Sequence, residues 1–380
     1  MAPGPVRSDV LCELAVALRT QGHIDHAKEA LQQAIEESSG RDRRLELRAR
    51  LELAQIELLV DQDARAEDFL NLAAQAIPIF EELGDDRALG RTWVRVAYVR
   101  GGLQGDNRER EKAAERALVH YRRSGWSPAT CFSELGLALY YGPTPVVDAI
   151  RRSEELLVEA ASDRASEANL VVFTGGLRAM LGQFEEARRL VASARATFDE
   201  IGLAAAIADF CGTVGGAIEM ADQDYVAAEA LLRESCLALE EMHDHALLAS
   251  RAAELAEALC ALRQFEEAER WARLAEHHAG TDDMDAQTAW RAADAEVKAA
   301  IGKLGEAETL SREAVRLANT TDMLNRRGRT LLALANVLLL QGRLDEASQP
   351  IDDATRVFER KGNVVWARRA RELNDELVRS

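Results

Sequence analysis

The chain has 380 residues, a formal net charge of −18, seven prolines and only 5% aromatic residues. So large an acidic excess repels phosphate backbones and argues against nucleic-acid binding. A single globular core of this length would ordinarily split into several domains, whereas the abundance of Ala, Leu, Glu and Arg points to helix throughout.

Taken in chain order, residues 1–7 read as a disordered N-terminus, with no charged start followed by an uninterrupted apolar stretch of the kind a signal peptide has. From residue 8 onward the sequence falls into helix pairs beginning near 8, 44, 86, 128, 163, 204, 246, 285 and 325. In the first pair Leu11, Leu14, Ala15, Leu18, Gly22, Ala27, Leu31 and Ala34 follow the tetratricopeptide pattern. Small residues at Ala15, Ala27 and Ala34 let the two helices approach closely, and Gly22 frees the backbone to end the first helix. Units over 44–160 are irregular, with lengthened turns at 61–65, 101–107 and 142–145. Units over 163–360 are regular, with Gly175 at the close-packing position of the fifth and Leu331, Leu334, Ala335, Leu338, Gly342, Ala347, Ile351 and Ala354 repeating the frame in the ninth. Residues 363–379 form a closing helix whose Arg/Glu-rich face suits a polar cap.

One phrase carries the period. Gln183-Phe184-Glu185-Glu186-Ala187 returns as Gln264-Phe265-Glu266-Glu267-Ala268, with looser copies ending at Ala27, Ala228, Ala307 and Ala347. From 187 to 347 the steps are 41, 40, 39 and 40 residues. A fixed period of this size predicts an all-α, right-handed α-solenoid of about nine antiparallel helix pairs plus a C-terminal capping helix, spanning 8–380 as one domain.

Catalytic and metal signals are weak. There is no G-x-S-x-G, no H-E-x-x-H and no metal-ligand cysteine spacing. The paired acids Glu185-Glu186 and Glu266-Glu267 sit where helix starts favour negative charge, and His243-Asp244-His245 and His277-His278 read as solvated inter-repeat residues. The expectation is a protein that is not an enzyme and holds no metal and no cofactor. Five cysteines without a C-x-x-C pair read as free thiols of a reducing cytosol. No apolar run is expected to reach the ~18 residues of a membrane helix, which places the chain in the cytoplasm. The basic runs Arg326-Arg327 with Arg329, and Arg368-Arg369 with Arg371, read as solvated helix faces.

Several segments resemble the C-terminal repeat region of actinobacterial regulators that join a class III adenylate/guanylate cyclase domain to an AAA-type (STAND-type) ATPase. The residues that carry the resemblance are Phe80-Glu81-Glu82-Leu83-Gly84-Asp85, Tyr141-Gly142-Pro143-Thr144-Pro145-Val146, Ala289-Trp290-Arg291-Ala292 and Glu359-Arg360-Lys361-Gly362-Asn363-Val364-Val365. The resemblance implies a sensing or partner-binding arm. It carries over no cyclase or ATPase activity, because Gly101-Gly102-Leu103-Gln104-Gly105 lacks the Lys and Ser/Thr of a phosphate loop.

In tetratricopeptide arrays the first helix of each unit lines the concave face. On that frame the candidate binding residues are Arg91, Tyr98, Tyr140, Tyr141, Asn169, Phe210, Thr213, Met220 and Asn336. With one Asn and no Lys in the central units, the face reads as a semi-apolar groove for a protein or peptide partner, which includes an upstream domain of a larger regulator. A small apolar effector in the same groove is the alternative reading, and a groove filled by its own side chains is the competing structural one. An uncapped first pair, exposed around Leu11, Leu14 and Leu18, suits self-association.

Overall fold

The computed structural model describes residues 4–20, 23–61 and 64–379, and every regular element among them is helical. Nine antiparallel pairs follow one another. They are α1 (Pro5–Thr20) with α2 (Ile24–Ser38), α3 (Arg43–Val60) with α4 (Ala66–Glu82), and α5 (Asp86–Ala97) with α6 (Asn107–Ser124). Next come α7 (Ala129–Tyr141) with α8 (Val146–Ala160), α9 (Arg164–Met180) with α10 (Phe184–Glu200), and α11 (Ala204–Asp222) with α12 (Tyr225–Glu241). The last are α13 (His245–Ala261) with α14 (Phe265–His278), α15 (Met284–Ala300) with α16 (Leu304–Ala318), and α17 (Leu324–Leu340) with α18 (Leu344–Lys361). The closing helix is α19 (Val364–Arg379).

The repeated alanine explains the pairing. Ala27, Ala149, Ala187, Ala228, Ala268, Ala307 and Ala347 are the fourth residues of their helices, and each is 0% exposed. A methyl group there lets the second helix lie close to the first. Two of the three irregular units break this rule in a definite way: Phe69 fills the position in α4 and Arg110 fills it in α6. Where Arg110 intrudes, α5 continues as a π-helical turn, Tyr98–Leu103. A Cβ on Gly101 would stand 2.2 Å from Arg110 Cδ, so the larger side chain is accommodated by a glycine. A second π-helical turn, Ile207–Cys211, interrupts α11.

The N-terminal side of most first helices is fixed by an aspartate. Asp42, Asp85, Asp163, Asp244 and Asp283 each accept from the backbone N–H three residues on, at 2.8–3.2 Å, which satisfies one otherwise unbonded donor.

The array coils tightly enough that successive turns of the superhelix touch. Helix α3 packs on α13, the π-helical turn of α5 packs on α15, and α9 packs on α19. Asp322 accepts from the backbone N–H groups of Asn107 and Arg108, both at 3.0 Å, and Asp282 accepts from that of Ala66 at 2.8 Å. Lys361 is fully buried and donates to the carbonyls of Leu139, Gly142 and Thr144. A solenoid normally packs only on its sequence neighbours. This one is clasped.

Two expectations are corrected, and a third falls outside the described residues. Helix α1 already begins at Pro5 and Arg7 pairs with Glu37, so order extends into the segment read as disordered, because a cation near the free end meets an acid on α2. Ala204–Asp222 is long and apolar enough to cross a membrane by length and composition, contrary to the expectation that no run would be. More than half of it is buried among neighbouring helices, where a core helix needs the same apolar composition. Gly22, expected to end α1, lies outside the described residues, whereas Gly182 and Gly342 hold the left-handed conformation with φ of 77° and 75°.

Candidate functional site

The concave side of the coil divides into separate spaces along its axis. The larger is a chamber of about 710 Å³ with α13, α15 and α17 on one side and α19 and the end of α11 on the other. Polar groups on its wall include Asn336, Arg329, Arg369 and Glu296, set among Met220, Trp366, Leu340 and Leu373. The guanidinium groups of Arg329 and Arg369 lie 5.5 Å and 4.7 Å from the Trp366 ring, within cation–π range. Arg369 also donates to the carbonyls of Met220 and Ala221 at 3.2 Å and 2.8 Å, tying α19 to the end of α11. Arg329 pairs with Glu257 across from α17 to α13. Asn336 is exposed and its amide makes no hydrogen bond among the described residues. Burial pushes the Glu296 carboxyl up to about 7, and no ion pair offsets that cost among the described residues.

A smaller cavity of about 240 Å³ lies between the early and late turns of the coil. Tyr98, Tyr141 and Phe210 give it aromatic walls, and Asp209, Asp283 and Arg251 give it charge. Burial lifts both phenols above the usual tyrosine range. It also lifts Asp209 to about 6 and Asp283 to about 7. Between the two spaces, Arg326 donates to Asp285 at 2.7 Å and lies 3.5 Å from Glu254, which also pairs with Arg251.

Of the nine residues chosen on the repeat frame, the structure gathers six. Tyr98, Tyr141 and Phe210 line the small cavity; Met220 and Asn336 line the chamber; and Tyr140 lines a narrow space that Met220 shares. Three are placed elsewhere. Asn169 is buried and donates to the Ala129 carbonyl at 2.9 Å. Thr213 is buried and donates to the Asp209 carbonyl at 2.6 Å across the π-helical turn. Arg91 sits in a shallow cleft with Glu13 and with Trp126, whose ring centroid is 4.6 Å from its guanidinium.

The groove is more charged than the sequence suggested. Arg326, Arg329 and Arg369, read as solvated, are turned inward because the coil closes and acids on α13 and α15 and carbonyls of α11 receive them. Arg110, Arg251, Asp209 and Trp366 were not singled out from the sequence. Arg251 carried a signal, since a lone arginine among Ser250, Ala252 and Ala253 on a first helix marks an inward position.

Other candidates resolve locally. His245 stacks on His278 with centroids 4.5 Å apart, and no group of three or more possible ligands gathers for a metal among the described residues. Glu185, Glu186, Glu266 and Glu267 lie in the first turns of α10 and α14. On α1, Leu11 is buried while Val6, Val10 and Leu14 are 71%, 48% and 46% exposed, a stripe of three apolar side chains one helical turn apart.

No family model and no curated relative matches the sequence. Among solved structures, a Rap protein complexed with Competence and Sporulation Factor is 14% identical over 99% of both chains, with a TM-score of 0.46. BtubC from P. vanneervenii is 18% identical over 56% of this chain and 89% of its own, with a TM-score of 0.39. Yeast Tom70 is 14% identical over 97% of this chain and 96% of its own, with a TM-score of 0.30. These superpositions are loose, and the helical-repeat fold stands on the helices described above.

Proposed function

We propose that this chain is a non-catalytic interaction module that takes an extended peptide segment of a partner protein into the chamber between α13, α15, α17 and α19. The observation that carries the reading is the exposed, unbonded amide of Asn336 in the wall of an open space of about 710 Å³. A primary amide both donates and accepts, so it can pair with a peptide N–H and C=O together. Around it, Trp366, Leu340 and Leu373 offer apolar contact, while Glu296 and Arg329 offer charges of both signs. A few oriented polar groups in a mostly apolar concavity are what fix a ligand's register. The resemblance to the repeat regions of cyclase–ATPase regulators extends the proposal: the segment would belong to a signalling partner or an upstream domain.

A random-peptide display selection on the purified chain, followed by calorimetry on the enriched peptides, tests this. Enriched peptides should lose at least tenfold in affinity on Asn336→Ala. Peptides that bind the variant as tightly as the parent would remove the chamber from the reading, and a selection that enriches nothing would remove the peptide.

A further inference from the structure

The smaller cavity has a chemistry that the chamber does not share. Its cations are already engaged: Arg110 donates to Glu134 at 2.6 Å, and Arg251 pairs with Glu254. Of its acids, Asp285 is held by Arg326 at 2.7 Å and by the Ser250 hydroxyl. Asp209, Asp244 and Asp283 have no ion-pair partner among the described residues, and Asp244 accepts from the Leu247 backbone N–H at 3.2 Å. Asp209 receives only a long bond of 3.4 Å from the Thr213 hydroxyl. Asp283 accepts from the Ala286 backbone N–H at 2.9 Å. Three carboxylates lining one cavity without a cation are costly, and cations delivered by a ligand would offset that cost.

A second observation points to the other end of such a ligand. The Arg251 side chain is only 3% exposed, it lines the cavity, and its Nε–H has no acceptor. A buried guanidinium donor left unbonded calls for an oxygen. Tyr98, Tyr141 and Phe210 supply ring faces that favour ammonium or guanidinium groups and cover an aliphatic stem. The volume of about 240 Å³, a third of the chamber's, suits a small metabolite.

We propose that this cavity is a binding site for a free basic amino acid. Its two cationic groups meet Asp209 and Asp283, and its carboxylate meets the Arg251 Nε–H. The assignment is independent of the peptide reading, since the residues involved lie outside the larger chamber.

Calorimetry with L-lysine, L-arginine and L-norleucine tests it. L-Lysine or L-arginine should bind, and L-norleucine, which keeps the α-groups but lacks the side-chain cation, should bind at least tenfold more weakly. Asp209→Asn and Asp283→Asn should each weaken binding at least tenfold while raising the melting temperature of the unliganded protein. A merely structural role would lower both. Asn at 283 keeps an oxygen for the Ala286 N–H, so that variant stays folded. Asn336→Ala should leave the affinity unchanged. The assignment is overturned by no measurable heat with either basic amino acid, by norleucine binding as tightly as lysine, by undiminished binding in both Asn variants, or by loss on Asn336→Ala.

Discussion

Lys361 and Gly142 lie 219 residues apart in sequence, yet the Lys361 ammonium donates to the Gly142 carbonyl at 2.6 Å. The same Nζ reaches the carbonyls of Leu139 and Thr144, each at 3.0 Å, so all three of its protons are used. Three acceptors, one from the last turn of α7 and two from the turn after it, therefore hold the end of α18. Burial pushes the amine down to about 7, and the Asp322 carboxylate pulls it back up. Without its partners, so buried a cation would be excluded from the core.

Lys361→Ala should therefore destabilise the protein by about 3 kcal/mol, because it strands three carbonyls away from water. Asp322→Ala should cost about 1–2 kcal/mol by removing the acceptor for the N–H groups of Asn107 and Arg108 at the start of α6. Denaturant unfolding gives both values. In solution scattering the double variant should show a larger radius of gyration, and an unchanged radius would mean that packing alone closes the coil.

The raised carboxyl of Asp283 sets a pH dependence. Its folded value of about 7 lies above the ordinary 3.8, with burial as the main cause. The stability it contributes is present below about 4, where both states are protonated, and is lost as pH rises through about 7. Asp283→Asn should thus gain on the parent by a few kcal/mol at pH 8 and by almost nothing at pH 4. Thermal melts of the pair across this window check it; a gain that is flat with pH would show that Asp283 is charged throughout.

Two glycines separate crowding from backbone strain. A Cβ at Gly328 would stand 2.4–2.8 Å from the ring of Phe358, which is fully buried. Gly328→Ala should cost about 1–3 kcal/mol through overpacking. At Gly342 a Cβ meets open space, but φ is 75°, so Gly342→Ala should cost about 1 kcal/mol through conformation alone. Compensating Phe358→Leu should rescue the first variant and not the second.

The thiols report on the same packing. Cys12, Cys131, Cys211 and Cys236 are buried, and burial pushes their thiols up to about 11–12, as it does the partly exposed Cys260. The thiolate is the reactive form. At pH 8 the native protein should react slowly with a disulfide reagent and release five equivalents only in denaturant; rapid native release would contradict this packing.

The repeat phrase made the fold legible, since an alanine returning every 40 residues or so has one explanation in helix packing. Even the irregular units had their reason in plain view: Arg110 stands where the alanine should be, and Gly101 and Gly102 precede it. What local pattern could not show is which distant turns meet. The frame located Tyr98, Tyr141 and Phe210 because they lie on first helices. It misjudged Arg326 and Arg369, whose partners, Asp285 and the carbonyls of Met220 and Ala221, come from other units. An arginine run looks the same on a solvated face and on a closed one.

The clasp also bears on how fast the molecule comes apart. Contacts spanning 214–222 residues, such as those of Asp322 and Lys361, cannot form until most of the intervening chain is in place. Helical arrays fold rapidly through local contacts, so bonds of this span belong after the rate-limiting step of folding. Interactions absent from the transition state act on unfolding alone. Lys361 thus sets the lifetime of the native protein while leaving its rate of formation nearly untouched.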